Sequence, residues 1–156
     1  MQLKINIEKK SDQDVVSFTG VIDEEAGALL TPLIERIGPK CLFNFDHLTS
    51  INSCGIRDFV KFMQALQKDR EVFFENCPDF FIDSINMIPQ LRGKAKIKSV
   101  YRAYQCDSCN VSKTKLLVAD KDFSSEGSRD VEVKCDKCAE SMEPLEDDDE
   151  YFVFLS

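Results

Sequence analysis

Residues 51–57, Ile-Asn-Ser-Cys-Gly-Ile-Arg, stand between a short apolar run and an amphipathic stretch. The run before them, residues 41–45 (Cys-Leu-Phe-Asn-Phe), is typical of a central strand covered on both faces. After them, apolar side chains recur at steps of three and four, which predicts a helix over residues 55–68. We interpret residues 46–52 as the loop between the two elements.

The segments on either side continue this alternation of strands and helices. The predicted strands cover residues 2–8, 15–19, 41–45, 72–74 and 95–104, and the predicted helices cover residues 32–37, 55–68 and 78–87. The order β-β-α-β-α-β-α-β predicts an α/β domain over residues 1–104, with a mixed sheet and packed helices.

Four of the seven cysteines form two Cys-x-x-Cys pairs, which are Cys106 with Cys109 and Cys135 with Cys138. Two residues between the members of a pair allow both thiolates to bind one tetrahedral ion, so two pairs complete a four-sulfur shell around zinc. Such a shell has no open position, and the zinc is therefore expected to be structural. A redox dithiol and unrelated buried cysteines are the alternatives, but a redox dithiol belongs at a strand-to-helix turn.

The flanks of these cysteines read as strands, at residues 116–118, 131–133 and 151–155. We therefore predict a small all-β zinc ribbon over residues 105–156. No flexible linker precedes it, so the module is expected to be docked on the first domain. The other three cysteines, Cys41, Cys54 and Cys77, are expected to act as small buried hydrophobes.

The net charge of −8 argues against a generic nucleic-acid binder, which needs a basic surface. The charge is uneven, with seven acids and no base from Glu140 to Glu150 and five bases and no acid from Arg92 to Arg102. These runs are either solvated faces or regions that meet and neutralise each other. The lysines and arginine of the basic run lie on or beside one predicted strand, which leaves a nucleic-acid-associated ribbon as an alternative.

No apolar run reaches the roughly 18–20 residues of a membrane span, and the N-terminus alternates like a strand rather than a signal peptide. We expect a cytoplasmic protein. The chain has one histidine, His47, in a polar segment, and no recognisable nucleophile–base pair, phosphate-cradling loop or catalytic metal motif. We therefore expect no enzymatic activity.

Ser53 permits two compatible interpretations. Its hydroxyl is placed to cap the helix that follows. It is also placed to carry a phosphate, because the free amides and the dipole at a helix N-terminus stabilise added negative charge.

Three segments together, residues 20–23 (Gly-Val-Ile-Asp), 42–45 and 52–57, resemble a STAS domain, the anti-sigma-factor-antagonist-like domain of bacterial signalling. The resemblance covers about residues 1–104. It implies a protein–protein interaction module in which a serine at the start of the second main helix is phosphorylated by a partner kinase that is also the anti-sigma factor.

By position, Ser53 matches that phosphoacceptor and Asp23 matches an acid in the neighbouring loop. The resemblance places the partner-binding surface on the residues around Ser53, namely Asp23, Asn52, Cys54, Gly55 and Arg57. Asn52 stands where the family has Asp, and Cys54 where it has a second Ser. A structural or assembly role for the ribbon is the alternative function.

Overall fold

A computed structural model describes residues 2–129 and 131–155. The strands are β1 Lys4–Lys9, β2 Asp14–Ile22, β3 Lys40–Ile51, β4 Glu71–Glu75, β5 Lys96–Ile97, β6 Ser99–Cys106, β7 Val111–Val118, β8 Phe123–Ser124, β9 Gly127–Ser128 and β10 Glu143–Pro144. The α-helices are α1 Ala26–Leu30, α2 Ser53–Leu66, α3 Asp79–Met87 and α4 Asp148–Tyr151, with 3-10 turns at Thr31–Glu35, Pro89–Leu91 and Phe152–Leu155.

The main sheet has the strand order β1-β2-β3-β4-β5. β1 pairs antiparallel with β2, whereas the other neighbours are parallel and are joined by helices. Alternate residues of β3 point to the helical side, where Phe43 stacks on Phe62 of α2 and Phe45 contacts Phe81 of α3. This architecture confirms the predicted α/β class and the mixed sheet with packed helices.

The strand predicted over residues 95–104 is divided between two sheets. The amide of Lys98 donates to the carbonyl of Phe74 at 2.7 Å, which ends the pairing of β5 with the main sheet. The chain then continues as β6, the centre of a second sheet with the order β10-β6-β7. The division arises because β6 bridges through Val100 to Cys77, beyond the end of β4, and pairs along its whole length with β7.

Buried apolar side chains connect the two sheets. The main cluster extends from the helices and main sheet into residues beyond 104, which are Leu117, Phe123, Tyr151, Phe152 and Phe154. A second and smaller cluster consists of Tyr104, Cys106, Val133, Cys135 and Met142. The C-terminal part therefore packs on the first domain, while the boundary between residues 104 and 105 stays a prediction.

The last apolar run, residues 151–155, was predicted to be a strand, and this is wrong. Asp147 accepts a hydrogen bond from the Glu150 amide and caps α4, and a 3-10 turn follows. Turns bury Tyr151, Phe152 and Phe154 together, which an extended strand with alternating faces would not do. Residues 131–133 are not a strand either, because pairing there is limited to an isolated bridge between Lys134 and Ser141.

Two further boundaries in the first domain differ from the prediction. β3 continues through the predicted loop to Ile51, because β2 also continues and follows it through two shifts of register. His47 therefore lies in a strand, where it is exposed. The helix predicted over residues 32–37 is instead a helical segment that begins at Ala26. Pro32 lies near the start of the 3-10 turn Thr31–Glu35, which follows α1.

Candidate metal centre and serine site

The four cysteines of the two pairs converge on one point. Cys106 ends β6 and Cys109 lies in the turn into β7, while Cys135 and Cys138 lie in a second turn before β10. Their sulfur atoms all lie within 4.8 Å of one another, and those of Cys106 and Cys138 are 3.6 Å apart. Four thiolates around a tetrahedral zinc ion at about 2.3 Å would be about 3.8 Å apart. The donor set therefore fits one tetrahedral metal ion.

Both cysteine pairs use the same backbone turn. The amide of Asn110 donates to the carbonyl of Cys106 at 2.8 Å, and the amide of Ala139 donates to that of Cys135 at 2.9 Å. Asn110 and Ala139 each follow the second cysteine of a pair, and both have positive φ, 54° and 62°. The left-handed conformation is uncommon outside glycine, so its occurrence at equivalent positions marks a shared local geometry.

Backbone amides and neighbouring sulfurs set the proton affinities at this centre. The amides of Cys138 and Lys137 donate to the sulfur of Cys135 and lower its pKa to about 7. Contact with the sulfur of Cys138 and partial burial raise the pKa of Cys109 to about 12. Backbone amides and neighbouring thiols thus favour the thiolate of Cys135, whereas contact with a neighbouring sulfur disfavours that of Cys109.

At the start of α2, the structure assigns the cap to Asn52 and not to Ser53. The side-chain Oδ1 of Asn52 accepts the amide of Gly55 at 2.9 Å, and its Nδ2 donates to Glu24 at 3.2 Å. Asn52 has extended backbone, as an N-cap residue should, whereas Ser53 is the first helical residue. The predicted capping role of Ser53 is therefore wrong, and its side chain is exposed.

The loop after β2, which contains Asp23, lies against this helix start. The amide of Asn52 donates to the carbonyl of Ile22 at 3.1 Å. Asp23 accepts the amide of Glu25 with its side chain at 3.0 Å, which fixes the turn into α1. A Cβ on Gly55 would lie 2.1 Å from the Ile22 carbonyl oxygen, so only glycine allows this approach.

The proposed partner-binding residues differ in accessibility. Asn52, Ser53 and Arg57 are exposed, whereas Cys54 and Asp23 are half-buried. Gly55 is buried, so its role at this site is to bring α2 close to β2.

Glu24 also belongs to this site, and the sequence analysis missed it. Its carboxylate accepts hydrogen bonds from its own amide and from Asn52, and these lower its pKa. The sequence feature that could have pointed to Glu24 is its position directly after Asp23.

The acidic and basic runs meet in the fold. Arg102 is buried, and its guanidinium pairs with Asp148 at 2.8 Å. The ammonium of Lys98 lies over the ring of Phe73, 4.6 Å from its centroid. Arg102 is thus engaged within the protein and is not available to a nucleic-acid surface, whereas Lys98 remains exposed.

In the part of the chain that the structure describes, no helix combines the length and apolar character needed to cross a bilayer.

Comparison with family models gives no match, and comparison with curated proteins gives none. Among solved structures, the chain is similar to the anti-sigma factor antagonist SpoIIAA in its unphosphorylated form, with 19% identity over 47% of this chain and 73% of that chain and a TM-score of 0.37. It is also similar to an uncharacterised protein of the DUF3478 family from Shewanella loihica PV-4, which has a SpoIIAA-like fold. That match has 19% identity, covers 61% of this chain and 84% of that chain, and has a TM-score of 0.43.

Proposed function

We propose that this protein is a signalling interaction module of the anti-sigma-factor-antagonist type, and that Ser53 receives a phosphate from a regulatory serine kinase that the module binds. The observation that carries the proposal is the exposed side chain of Ser53 at the first position of a 14-residue helix. The resemblance of residues 52–57 to the STAS motif supports the same serine as the phosphoacceptor.

Ser53 is free for modification because Asn52 already performs the local structural task. The Asn52 side chain satisfies the amide of Gly55, so α2 does not need the serine hydroxyl for its cap. A phosphate on Ser53 would lie at the positive end of the helix dipole. The first turn of α2 contains no acidic side chain that would compete for this position.

A phosphate there would also change the charge of the surrounding surface. The neighbouring loop holds Asp23, Glu24 and Glu25, and Glu24 is linked to the helix start through Asn52. Phosphorylation adds about −1.5 to −2 charges. The unmodified surface offers a hydroxyl and the exposed Arg57, whereas the modified surface is strongly anionic, so a partner would bind the two states differently.

We also propose that zinc binds the four-cysteine centre and acts structurally. The sulfur distances and the two Cys-x-x-Cys spacings support this assignment. The smaller buried cluster beside the centre has few members, two of which are ligands, so the metal would contribute much of the folding free energy of that region. We further propose that the protein is cytoplasmic, which its seven cysteines without a disulfide support, and that it has no enzymatic activity.

The test compares full-length Ser53→Ala and Ser53→Asp proteins as affinity baits in lysate of the source organism, with quantitative mass spectrometry of captured proteins and of Ser53 in the wild type. We expect a serine kinase among proteins held by wild type and Ser53→Ala and lost with Ser53→Asp. Ser50→Ala and Ser50→Asp are matched controls, since Ser50 is exposed three residues away on β3. Equal capture by both Ser53 variants, together with unmodified Ser53, would contradict the proposed switch.

A further inference from the structure

One face of the second sheet carries several exposed apolar side chains. Its inner face buries Val100, Tyr104 and Leu117. On the opposite face, Tyr101 of β6 pairs with Leu116 of β7, and Leu145 donates its amide to the Ala103 carbonyl at 3.0 Å. We call this opposite side of the sheet the outer face. Its apolar side chains are Tyr101, Ala103, Leu116, Val118 and Leu145, and Gln105 and Thr114 are among its polar ones.

The apolar side chains of the outer face are neighbours and are partly exposed. Leu145 is 55% exposed, Val118 39% and Leu116 37%. Paired residues lie about 5 Å apart across strands and alternate residues about 7 Å apart along them, so these side chains form one patch. Single exposed hydrophobes are ordinary on a protein surface, but adjacent ones that share a sheet face indicate a contact surface.

Carboxylates border this patch. A groove of about 330 Å³ is lined by Ala103 and Leu145 on the sheet side, by Asp79 and Asp83 on α3, and by Glu146. The two aspartates are four residues apart and so lie on the same side of their helix. At another edge of the patch, Asp46 accepts a hydrogen bond from the Tyr101 hydroxyl.

The negative charge of the groove is not balanced from within. Arg102 also lines the groove, but it is committed to Asp148 and to the carbonyl of Glu146. Partial burial and the nearby Asp83 raise the pKa of Glu146 to about 7, with further contributions from Glu150 and Asp79. Carboxylates that disfavour one another's ionisation are stabilised when a cation comes between them.

We propose that the outer face and its acidic groove bind a basic segment of a partner protein, one that carries lysine or arginine next to a bulky apolar side chain. The cation would lie among Asp79, Asp83 and Glu146, and the apolar side chain would pack on Leu145 and Ala103. The same carboxylates repel nucleic acid and anionic membrane surfaces. This surface is separate from Ser53, so the proposal stands or fails independently of the phosphorylation switch.

The test uses fluorescein-labelled peptides of the sequence Lys-Leu-Lys-Leu-Lys, with Lys-Ser-Lys-Ser-Lys and Glu-Leu-Glu-Leu-Glu for comparison, and measures anisotropy with the full-length protein. We expect the Lys-Leu peptide to bind more tightly than both others. Leu145→Ser should weaken its binding about tenfold, because one leucine contact is lost. Asp79→Asn/Asp83→Asn should weaken it by a similar factor.

Matched controls separate this site from general attraction to an acidic protein. Leu29→Ser alters an exposed leucine on α1, and Asp12→Asn/Glu126→Gln changes the net charge by the same amount at exposed positions elsewhere. Unchanged binding in both controls supports the site. Equal weakening in the controls, or no preference for the Lys-Leu peptide, overturns it. A dimer in sedimentation that Leu145→Ser abolishes would assign the face to a second copy and overturn the basic-partner proposal.

Discussion

The buried guanidinium of Arg102 lies 2.8 Å from the carboxylate of Asp148 and so ties β6 to α4 near the C-terminus. The same guanidinium lies over the rings of Tyr151 and Phe152, with centroid distances of 5.3 and 4.9 Å. One cation thereby fixes three residues of the C-terminal segment. The second sheet and the segment after it are held together by charge as well as by apolar burial.

We expect Asp148→Asn to lower the free energy of unfolding by about 1–2 kcal/mol. A broken buried ion pair costs several kcal/mol, but Asp148 is more than half exposed, so water would replace part of the lost interaction. Urea unfolding measures the change. Asp149→Asn, at an exposed neighbour in the same helix, should change stability by less than about 0.5 kcal/mol. Equal effects of the two substitutions would show that the Arg102 pair contributes no specific stability.

Gly55→Ala should destabilise the protein by about 2 kcal/mol or more, because the new Cβ would meet the Ile22 backbone and force α2 away from β2. Gly27→Ala is the control, since its Cβ would approach the mobile end of the Asp58 side chain and alanine favours a helix. Thermal unfolding compares them. Similar melting temperatures for both variants would contradict the close approach.

The first domain was predictable because its signals are local. The amphipathic pattern of α2 and the apolar run in β3 fix the identity of these elements without knowledge of their neighbours. Their ends were not predictable. β3 extends to Ile51 because β2 provides pairing partners from another part of the chain. The break at Lys98 likewise depends on the partner strands, since β5 pairs with β4 whereas β6 pairs with β7.

The candidate sites show the same limit. Cysteine spacing is a local signal, and the predicted set of four meets in space. The role of Arg102 was not local, because its burial depends on three aromatic rings and on Asp148, 46 residues later in the sequence. The run of acids at residues 147–150 contains the cap of α4, but the sequence alone left it either a solvated face or a partner of the basic run.

Elemental analysis of the purified protein should find one zinc ion per chain. Cys109→Ser or Cys135→Ser should reduce the zinc content strongly, because the four-sulfur shell becomes incomplete. Cys54→Ser, outside the cluster, should leave it unchanged. Hydrogen exchange should show loss of protection around residues 104–111 and 133–142 in the ligand variants, with the main sheet still protected, since the small cluster there depends on the ligands. Full metal content in Cys135→Ser would exclude the proposed ligand set.

Stability should depend on pH through Glu146. Partial burial and the nearby Asp83 raise its pKa to about 7 in the folded protein, above the value of 4.5 for a free side chain. The folded state therefore binds this proton more tightly than the unfolded state, so the contribution is complete at low pH and is lost as the pH rises through about 7. Glu146→Gln stays neutral throughout and should become increasingly stable relative to wild type between pH 5 and 8, which is roughly the range between the two pKa values.

Urea midpoints of both proteins at each pH measure the difference in stability. Glu126→Gln, at an exposed hairpin position, provides a baseline with the same chemical change. A difference between Glu146→Gln and wild type that stays constant with pH would mean that Glu146 titrates normally and that the carboxylates of α3 do not act on it.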